Sequence, residues 1–513
     1  MKLMTSSKKV SVSLTYVSIV VQALSTMLLT SFYLRTLGAE TYGLYQMINA
    51  VAQYIMILDL GISTVMIRYI AEFDAKGNHE KSENFAFHFG LIVLLAAILI
   101  AVIGAVVNGN IENIYRNLTL EEYELSHRLF NFIIFQLVFT VFGHFFQGVS
   151  YAYDQYTFER TVSIVQIVVN TILVILFIKL GMGLIGIVLA NGIVIFLHTA
   201  ISAIYAFFAV HFRIRFHGWE FSMLQPAMLL MLAMLLQAIV GHVNSSVDKT
   251  ILGIMTTKTD VTIYAVAATI ITMFNTLPMA VSTVYQSDAV RMVSSGADRE
   301  KMTSFVIKPG RLQFMMVGAF LAGFFLFGQD FLVCWTNEKM LPAWKYVLII
   351  MIPNSVPLIQ NTCLSILNAL DKRMFRSLIL VAITGFNIGL TVLLIALIGP
   401  IGAPLATGIS YLIGHVILMN LYYGKKIGLN VWRMFKEIFR RTWLCILIAL
   451  ILNAPLMLWR VDGNWLVLLL KAVVFCLTYG VLLLFIGMNS SEKSLFFSLM
   501  RKLRIGQPKK HRG

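Results

Sequence analysis

The chain has 513 residues, of which 58% are apolar and only 12% are charged. A water-soluble globule of this size needs more charge on its surface, so the composition excludes that class and indicates a multi-span membrane protein. The net charge of +16 would suggest nucleic-acid binding in a soluble protein, but in a membrane protein its meaning depends on where the basic residues lie.

Apolar stretches of about 20 residues, the length that crosses roughly 30 Å of hydrocarbon, recur from residue 11 to residue 488. They predict an all-α polytopic membrane protein of about fourteen transmembrane helices, with two six-helix lobes followed by two C-terminal helices. The predicted segments, in chain order, are the N-lobe with spans one to six (1–210), a cytoplasmic inter-lobe linker (211–225), the C-lobe with spans seven to twelve (226–424), a basic interfacial connector (425–441), spans thirteen and fourteen (442–488) and a basic cytoplasmic tail (489–513).

The basic residues are distributed unevenly between the two sides of the membrane. If the N-terminus is cytoplasmic, the segments on that side hold 30 of the 40 Lys and Arg residues, the opposite side holds eight, and Lys249 and Lys471 lie inside spans. Cytoplasmic loops of membrane proteins carry such an excess of Lys and Arg. The pattern therefore predicts that both termini are cytoplasmic and that the excess charge contacts anionic lipid headgroups.

Three ionisable residues in or beside the first two spans are candidates for a function. Arg35 ends the first span, ahead of the turn at Gly38, and Arg68 lies near the other end of the second span. A basic residue at a span end is either a topology anchor or a group that faces a substrate cavity. Asp59 lies deeper in the second span, in Asp-Leu-Gly61, and is a candidate proton or cation site or else a hydrogen-bonded helix contact.

The two halves of the chain are related by an internal repeat. The stretch GLIGIVLANGI (183–193) recurs in part 216 positions later as GPIGAPLATGI, and Asn170 and His198 match Asn387 and His415 at a spacing of 217. A six-span unit has therefore been duplicated in the same orientation. Parallel repeats place the substrate path between the two bundles, and alternating access follows from rocking them.

An acid and a base, Asp248 and Lys249, are adjacent inside the seventh span, about six or seven residues from its predicted external end. A charged side chain in hydrocarbon is energetically costly, so such a residue indicates a function or a partner within the protein. At 1.5 Å per residue the pair is roughly 10 Å deep, a depth from which Lys249 can reach the headgroups. Because neighbouring helical residues point about 100° apart, the two side chains need not pair with each other.

Several of these stretches together resemble the bacterial polysaccharide-biosynthesis flippases, an O-antigen flippase-like family of the multidrug/oligosaccharidyl-lipid/polysaccharide exporter superfamily. They are the two repeat halves, Arg35-Thr-Leu-Gly38 with Tyr42-Gly43, the stretch from Asp59-Leu-Gly61 to Arg68, and Asp248-Lys-Thr-Ile-Leu-Gly253. The resemblance covers essentially the whole chain, including the two extra spans. It implies a V-shaped pair of lobes around a central cavity, in a bacterial cytoplasmic membrane, and a substrate made of an oligosaccharide on a polyprenyl pyrophosphate.

The resemblance also indicates which side chains hold the substrate. Basic residues in the cavity are expected to bind the diphosphate by charge-assisted hydrogen bonds, and aromatic or amide side chains are expected to contact the sugars. Each candidate also has a structural interpretation that involves no substrate. In these interpretations the arginines at the ends of the first two spans are topology anchors, those after span eight belong to a basic cytoplasmic loop, and the charged residues of span seven form a local ion pair or a snorkelled span end. The candidate substrate-binding residues are Arg35, Arg68, Asp248, Lys249, Arg291 and Arg311, with Asp59 for ion coupling.

Some further polar and proline residues inside spans have two interpretations each. Lys471 lies either along a lipid-tail groove, as in the lipid II flippases, or snorkels outward. Intramembrane histidines either titrate or cross-link helices, and prolines are expected to kink the spans mainly in the second half. These histidines are His88, His144, His198, His242 and His415, and the prolines are Pro278, Pro353, Pro357 and Pro404.

The leading hypothesis is a lipid-linked oligosaccharide flippase, with membrane lipids as partners and, as further expected partners, a polysaccharide polymerase and glycosyltransferases. Alternatives are a cation-coupled multidrug exporter and a flippase for lipid II or a spore-wall precursor. A membrane-embedded glycosyltransferase would need catalytic carboxylates, and the clustered acids Glu121, Glu122 and Glu124 are interpreted as a solvated face. There is no phosphate-binding loop for ATP, so we expect no ATP hydrolysis by this chain and energy from an ion gradient of H⁺ or Na⁺, the membrane potential or consumption of the product outside. We expect a transporter and not an enzyme, without a cofactor or a metal.

Overall fold

The structure is a computed structural model that describes the backbone of residues 2–370, 373–459, 461–494 and 497. Within these ranges it does not describe the side chains of residues 2–9, 11, 12, 233, 236, 237, 240, 244, 245, 277, 280 and 373–375. The described part is built from α-helices with short 3₁₀ and π segments and contains no β-strand, which confirms the all-α prediction.

Nineteen α-helices are described. In chain order they are α1 (Lys2–Thr36), α2 (Ala39–Ile55), α3 (Ile62–Ala75), α4 (His79–Asn108), α5 (Ile111–Ile114), α6 (Leu120–Ala152), α7 (Tyr156–Lys179), α8 (Gly183–Ile204), α9 (Leu224–Met255), α10 (Lys258–Ser294), α11 (Arg299–Trp335), α12 (Pro342–Ile359), α13 (Asn361–Ala369), α14 (Arg373–Ile398), α15 (Gly402–Tyr411), α16 (Met419–Tyr422), α17 (Val431–Phe439), α18 (Thr442–Asn453) and α19 (Trp465–Leu482).

Long apolar helices dominate the described residues. Twelve of them are long and apolar enough to cross a membrane, and a thirteenth results if the bent pair Lys258–Thr276 and Val281–Ser294 is counted as one span. The outward faces are apolar, as Leu95 and Val106 on α4 illustrate with 56% and 61% exposure. A helix that presents such a face to its surroundings suits lipid rather than water. The predicted number of about fourteen spans is thus approximate.

By packing, the chain divides into two compact units. Unit 1 comprises Met1–Thr269 with Thr384–Ala406, and unit 2 comprises Ile270–Ile383 with Thr407–Gly513. The predicted lobes instead meet at the linker, residues 211–225. The division differs because α9, the predicted seventh span, packs on α2 and therefore belongs to unit 1.

Unit 1 is organised around α6, which packs against α3, α4 and α8. Small residues allow these close crossings. A Cβ at Gly148 of α6 would lie 2.6 Å from the Cβ of Met66 and 3.0 Å from the carbonyl oxygen of Ser63 on α3. The predicted linker is also fixed to this unit, because Asn84 of α4 donates to the carbonyl of Gly218 at 3.1 Å.

The second predicted span is broken in the middle without a proline. After α2, a 3₁₀ turn over Met56–Asp59 leads to Leu60 and Gly61, which have φ angles of 53° and 66°. Left-handed conformations are strained for L side chains, and glycine tolerates them. A Cβ at Gly61 would also lie 2.8 Å from Cγ of Met234 on α9. The Asp-Leu-Gly61 stretch is therefore the break itself, and breaks are not confined to the second half.

The proline predictions for the second half of the chain have mixed outcomes. The bend of 46° between Thr276 and Val281 lies at Pro278, and α12 ends at Ile359, two residues after Pro357. Pro404, in contrast, is the third residue of α15. A proline in the first turn of a helix breaks no intrahelical hydrogen bond, so Pro404 starts a helix and does not kink one.

The two C-terminal spans are fixed to α11, the 37-residue helix at the centre of unit 2. Lys471 on α19 is fully buried and lies 2.8 Å from Asp330 of α11. Snorkelling toward water, one of the two predicted interpretations, is therefore wrong for this residue. The connector helix α17 likewise packs on α11, since Ile438 is buried against Gly310, while Trp432 on its other face is 80% exposed.

Candidate functional site

Asp248 and Lys249 lie where α9 packs against α2, and each side chain contacts different partners. Asp248 is 3% exposed and accepts hydrogen bonds from the hydroxyls of Tyr264 and Thr391, the latter at 3.1 Å. The Lys249 ammonium donates to Oε1 of Gln46 on α2 at 3.3 Å. The two side chains point apart, as helical geometry predicts, and a local ion pair between neighbours is not what holds them.

The crossing of α2 and α9 is reinforced by neighbouring polar contacts. The hydroxyls of Tyr54 and Thr250 are 3.1 Å apart, and Tyr115 donates to the backbone carbonyl of Met47 at 3.0 Å. Gly253 allows the close approach, because a Cβ there would lie 2.8 Å from Cγ of Met47. Lys249 thus sits in a tightly packed helix contact whose hydrogen bonds are satisfied within unit 1.

One of the clustered acids at the start of α6 has a structural role. Glu122 forms a capping box with Thr119 and an ion pair with Lys258 at the start of α10. A capping box satisfies two backbone donors at the helix start. Glu122 is therefore not simply solvated, as the sequence suggested, and a carboxylate engaged in a cap and an ion pair is poorly suited to act as a catalytic acid.

Three of the predicted arginines lie on exposed surfaces. Arg35 is in the last turn of α1, and Arg68 on α3 lies over the ring of its neighbour Tyr69 at 5.7 Å. Arg291, in the last turn of α10, is 3.8 Å from Asp288. The roles of these three arginines in substrate binding remain predictions.

Arg311 requires a correction. The sequence placed it beside a cytoplasmic loop after span eight, but α11 begins at Arg299, so Arg311 lies inside a helix. It is 3% exposed, and its guanidinium binds the carboxylate of Glu492 at 2.7 Å and the backbone carbonyls of Glu437, Arg440 and Gly487. With its donors occupied by protein acceptors, Arg311 anchors the C-terminal segments to α11 and is not free to bind a substrate.

A series of acids and histidines crosses unit 1. Asp59, at the break in span two, accepts a hydrogen bond from Nδ1 of His144 on α6 at 2.6 Å. On α7 the fully buried Glu159 accepts from Ser202 at 3.3 Å and lies 3.9 Å from Nε2 of His198. His144 thus links α6 to span two by a hydrogen bond, one of the two predicted roles, whereas Nε2 of His198 has no hydrogen-bond partner among the described residues. Sequence analysis missed Glu159, although its contact with His198 spans two helices of the same repeat.

A polar cavity of about 390 Å³ lies between α1, α7 and α8 of unit 1. We call it the hydroxyl-amide cavity. The carbonyl oxygen of the Asn170 side chain is buried and has no hydrogen-bond partner among the described residues. Its polar lining includes Gln22, Ser25, Arg160, Gln166, Asn170 and Asn191. Sequence reasoning noticed Asn170 only through the repeat and did not single out the others.

Comparison with known sequences assigns the chain to a protein family. The sequence model of the family described as polysaccharide biosynthesis protein matches residues 8–285, more than half of the chain. The chain belongs to this polysaccharide biosynthesis protein family. The match confirms the family resemblance inferred from the motifs, because the matched region contains Arg35, Asp59, Arg68 and Asp248-Lys249. No curated protein sequence matches the chain.

Solved structures share the fold of this polysaccharide biosynthesis protein. It is similar to the lipid II flippase MurJ in an inward closed conformation, with a TM-score of 0.71 and 15% identity over 96% of this chain and 99% of that one. It is also similar to an inward-facing multidrug resistance MATE family transporter of the MOP superfamily, with a TM-score of 0.67 and 14% identity over 81% and 96% of the two chains. A MATE transporter from Vibrio cholerae gives 0.56 and 16% over 84% and 100%.

At these identities the likeness concerns the fold. It shows that this polysaccharide biosynthesis protein, with its many apolar helices, has the multi-pass fold of the flippase and the transporters. Fold alone does not specify a substrate, since one fold supports many functions. The substrate must therefore be argued from the side chains of the two units.

Proposed function

We propose that this protein moves a polyprenyl-pyrophosphate-linked oligosaccharide, a polysaccharide repeat unit, from the cytoplasmic to the outer leaflet of the bacterial cell membrane by alternating access. The observation that carries the proposal is the hydroxyl-amide cavity of unit 1. Its serine, threonine, asparagine and glutamine side chains offer both donors and acceptors, as sugar hydroxyls require. The open acceptor on Asn170 matches a sugar hydroxyl donor.

The cost of moving such a headgroup explains why a polar cavity is needed. Transferring one unpaired polar group from water into an apolar environment costs roughly 2–7 kcal/mol, and an oligosaccharide carries many of them. A membrane protein keeps polar side chains within its spans only where they have a function or a partner. The cavity volume of about 390 Å³ falls within the range of roughly 300–1,000 Å³ for small-molecule sites, enough for part of a headgroup while the polyprenyl tail stays in lipid.

Lys249 is the predicted site residue whose surroundings best fit a substrate contact. Its only described hydrogen bond is to a neutral amide, Gln46, so its charge is not neutralised by that partner. An ammonium held by an amide can exchange this bond for a stronger, charge-assisted one to a diphosphate oxygen. In this proposal Asp248, bound by Tyr264 and Thr391, positions the helix and does not bind the substrate.

Coupling to an ion gradient is proposed to use Asp59 and His144. A carboxylate hydrogen-bonded to an imidazole can pass a proton or hold a cation, and Asp59 lies at a helix break. The uneven distribution of basic residues supports a topology with both termini in the cytoplasm. Polysaccharide polymerase and glycosyltransferases are proposed as functional neighbours, because they would consume and supply the substrate.

The proposal is tested with the purified full chain in proteoliposomes that contain a fluorescent polyprenyl-pyrophosphate-linked oligosaccharide. An impermeant glycosidase added outside reports how much headgroup has crossed. We expect faster exposure with the wild type than with empty liposomes, and slower exposure with Asn170→Leu. Deletion of the gene should also cause the lipid-linked oligosaccharide to accumulate on the cytoplasmic leaflet. No acceleration by the wild type would contradict the proposal.

A second candidate, a cation-coupled multidrug exporter, is favoured by the Asp59–His144 pair in unit 1 and by the likeness of the fold to MATE transporters. It predicts uptake of a cationic dye into the same proteoliposomes under an ion gradient. It also predicts that the protein does not accelerate exposure of the oligosaccharide headgroup. A lipid II or spore-wall precursor flippase, the third candidate, predicts that a peptide-bearing lipid substrate competes better than the oligosaccharide lipid.

A further inference from the structure

Unit 2 contains a second polar cavity, which we call the arginine-amide cavity. It has a volume of about 190 Å³ and lies among α10, the α12–α13 break, the start of α14 and the π-helical stretch after α15. Its polar lining includes Asn275, Asn354, Asn361, Arg376 and His415. None of the six candidate substrate-binding residues named from the sequence lines this cavity.

Irregular helix geometry shapes this cavity. Two π-helical segments, Leu412–Leu418 and Tyr423–Ile427, interrupt the helix on one side, and they contain His415 and Tyr423. A π turn accommodates an additional residue and redirects the side chains, and such turns occur frequently at functional sites. On the other side, the chain breaks at Gln360 between α12 and α13, directly before Asn361.

The chemistry of the lining favours an anion. Arg376 is half-buried, and no carboxylate is among the described residues that line the cavity. The side-chain nitrogen of Asn361 is a buried donor without a partner in the described part of the chain. A guanidinium and an amide donor that converge on one space suit the oxygen atoms of a phosphate, which accept several hydrogen bonds at once.

The internal repeat shows that this arrangement is specific to the second half. Arg376 and His415 stand 217 residues after Glu159 and His198, the register of the repeat. In unit 1 the histidine faces a carboxylate at 3.9 Å, whereas the equivalent position in unit 2 carries a guanidinium. The duplicated position has therefore exchanged an acid for a base, and a bound anion would supply the negative charge that unit 1 provides from its own chain.

We propose that the arginine-amide cavity binds a phosphoryl anion, the diphosphate of the lipid-linked substrate, through Arg376 and Asn361. This inference rests on the proposed function and gives the diphosphate a loading site, separate from its contact with Lys249 during transport. The volume of about 190 Å³ corresponds to roughly six water molecules at about 30 Å³ each, enough for a diphosphate and smaller than the hydroxyl-amide cavity. Because Arg376 lies near the predicted cytoplasmic end of its span, the site would hold the diphosphate on the side where the substrate is loaded.

The test measures the affinity of the full chain, in lipid nanodiscs, for three probes: inorganic pyrophosphate, undecaprenyl pyrophosphate and undecaprenol. The variants are Arg376→Gln, Arg376→Lys and Asn361→Leu, with Lys308→Gln as a control that removes one exposed positive charge from α11 of the same unit. Thermal unfolding of each variant checks that it folds. Arg376→Lys also keeps the charge if Arg376→Gln folds poorly.

Loss of a charge-assisted hydrogen bond should weaken binding by about tenfold or more. We expect Arg376→Gln to weaken binding of undecaprenyl pyrophosphate to this extent and Asn361→Leu to weaken it less. Lys308→Gln should bind this lipid as the wild type does, and none of the variants should change the binding of undecaprenol. A parallel loss for inorganic pyrophosphate identifies the phosphoryl group alone as the ligand. A loss for the lipid only means that the headgroup binds together with its tail. Both results support the site.

Unchanged binding of undecaprenyl pyrophosphate by a folded Arg376→Gln variant would overturn the inference, as would an effect limited to inorganic pyrophosphate. The proteoliposome assay separates this failure from failure of the proposed function. A wild type that exposes the lipid-linked oligosaccharide while Arg376→Gln binds normally leaves the flippase intact and removes only the site. A wild type that neither binds nor moves the diphosphate lipid overturns both proposals.

Discussion

Lys471 of α19 and Asp330 of α11 form an ion pair inside unit 2, with Nζ of the lysine 2.8 Å from Oδ2 of the aspartate. The lysine side chain is fully buried and that of the aspartate is 28% exposed. The same ammonium donates to the carbonyl of Trp459 and lies 5.8 Å from the centre of the Phe327 ring. The last span is therefore held to α11 by a charged contact within the bundle.

Replacing Lys471 with leucine should destabilise the protein, because Asp330 loses its partner. Breaking a buried ion pair costs about 3–5 kcal/mol, and we expect the lower end because Asp330 keeps some access to solvent. The double variant Lys471→Leu/Asp330→Leu should recover most of the loss. Thermal unfolding in detergent measures both, with exposed Lys345→Gln on α12 as the control. Equal unfolding temperatures for the single variant and the wild type would contradict the prediction.

Arg311→Ala should release the C-terminal segments from α11. The guanidinium joins Glu492 to three backbone carbonyls, and its removal leaves a buried carboxylate and these acceptors without their donor. We expect a loss of about 3–5 kcal/mol, with partial rescue by Arg311→Lys, which keeps the charge but not the fork of donors. Limited proteolysis should cleave the C-terminal region faster in the variant. Normal stability with impaired flipping would instead restore a substrate role for Arg311.

Gly61→Ala should strain the break in span two. The φ of 66° is unfavourable for alanine, and the new Cβ would lie 2.8 Å from Cγ of Met234. We expect a loss of about 1–3 kcal/mol in unfolding free energy. Gly90→Ala on α4 is the matched control, since its Cβ would meet no atom within 4 Å. If both substitutions behave alike, neither the left-handed conformation nor the contact with Met234 restricts this position.

Asp59→Asn should uncouple transport from an ion gradient. The substitution keeps a hydrogen-bond acceptor for His144 at 2.6 Å but removes the charge that binds a proton or cation. In proteoliposomes we expect a proton gradient to accelerate headgroup exposure by the wild type and to have no effect on the variant. A Na⁺ gradient is the parallel measurement. A variant that responds to either gradient as the wild type does would assign Asp59 to helix contact alone.

Lys249→Gln should slow flipping more than it lowers stability. The structure gives Lys249 a hydrogen bond with Gln46 at 3.3 Å, and glutamine can replace that bond without the positive charge. A charge-assisted bond to the diphosphate is worth roughly 1.5–3 kcal/mol, so the flipping rate should fall about tenfold or more. Lys249→Arg should retain most activity. An active Lys249→Gln variant would return Lys249 to a purely structural role.

The sequence by itself determined the class of the molecule and its internal duplication. Apolar stretches long enough to cross hydrocarbon permit only helices as single spans, because each backbone group must be hydrogen-bonded within its own segment. The repeat of residues 183–193 could also be detected from the sequence, because its detection requires only an alignment of the chain with itself. The break at Asp59-Leu-Gly61 was visible as a motif, although its meaning was not.

Only the tertiary structure decided which partner each charged side chain has. Arg311 and Glu492 are 181 residues apart, Lys471 and Asp330 are 141 apart, and Thr391 reaches Asp248 across 143. Local sequence patterns cannot pair such residues, because the sequence does not distinguish a charge at the end of a span from a charge buried in a helix bundle. Burial and contact distinguish an anchor from a binding group, and they emerge only when the helices pack.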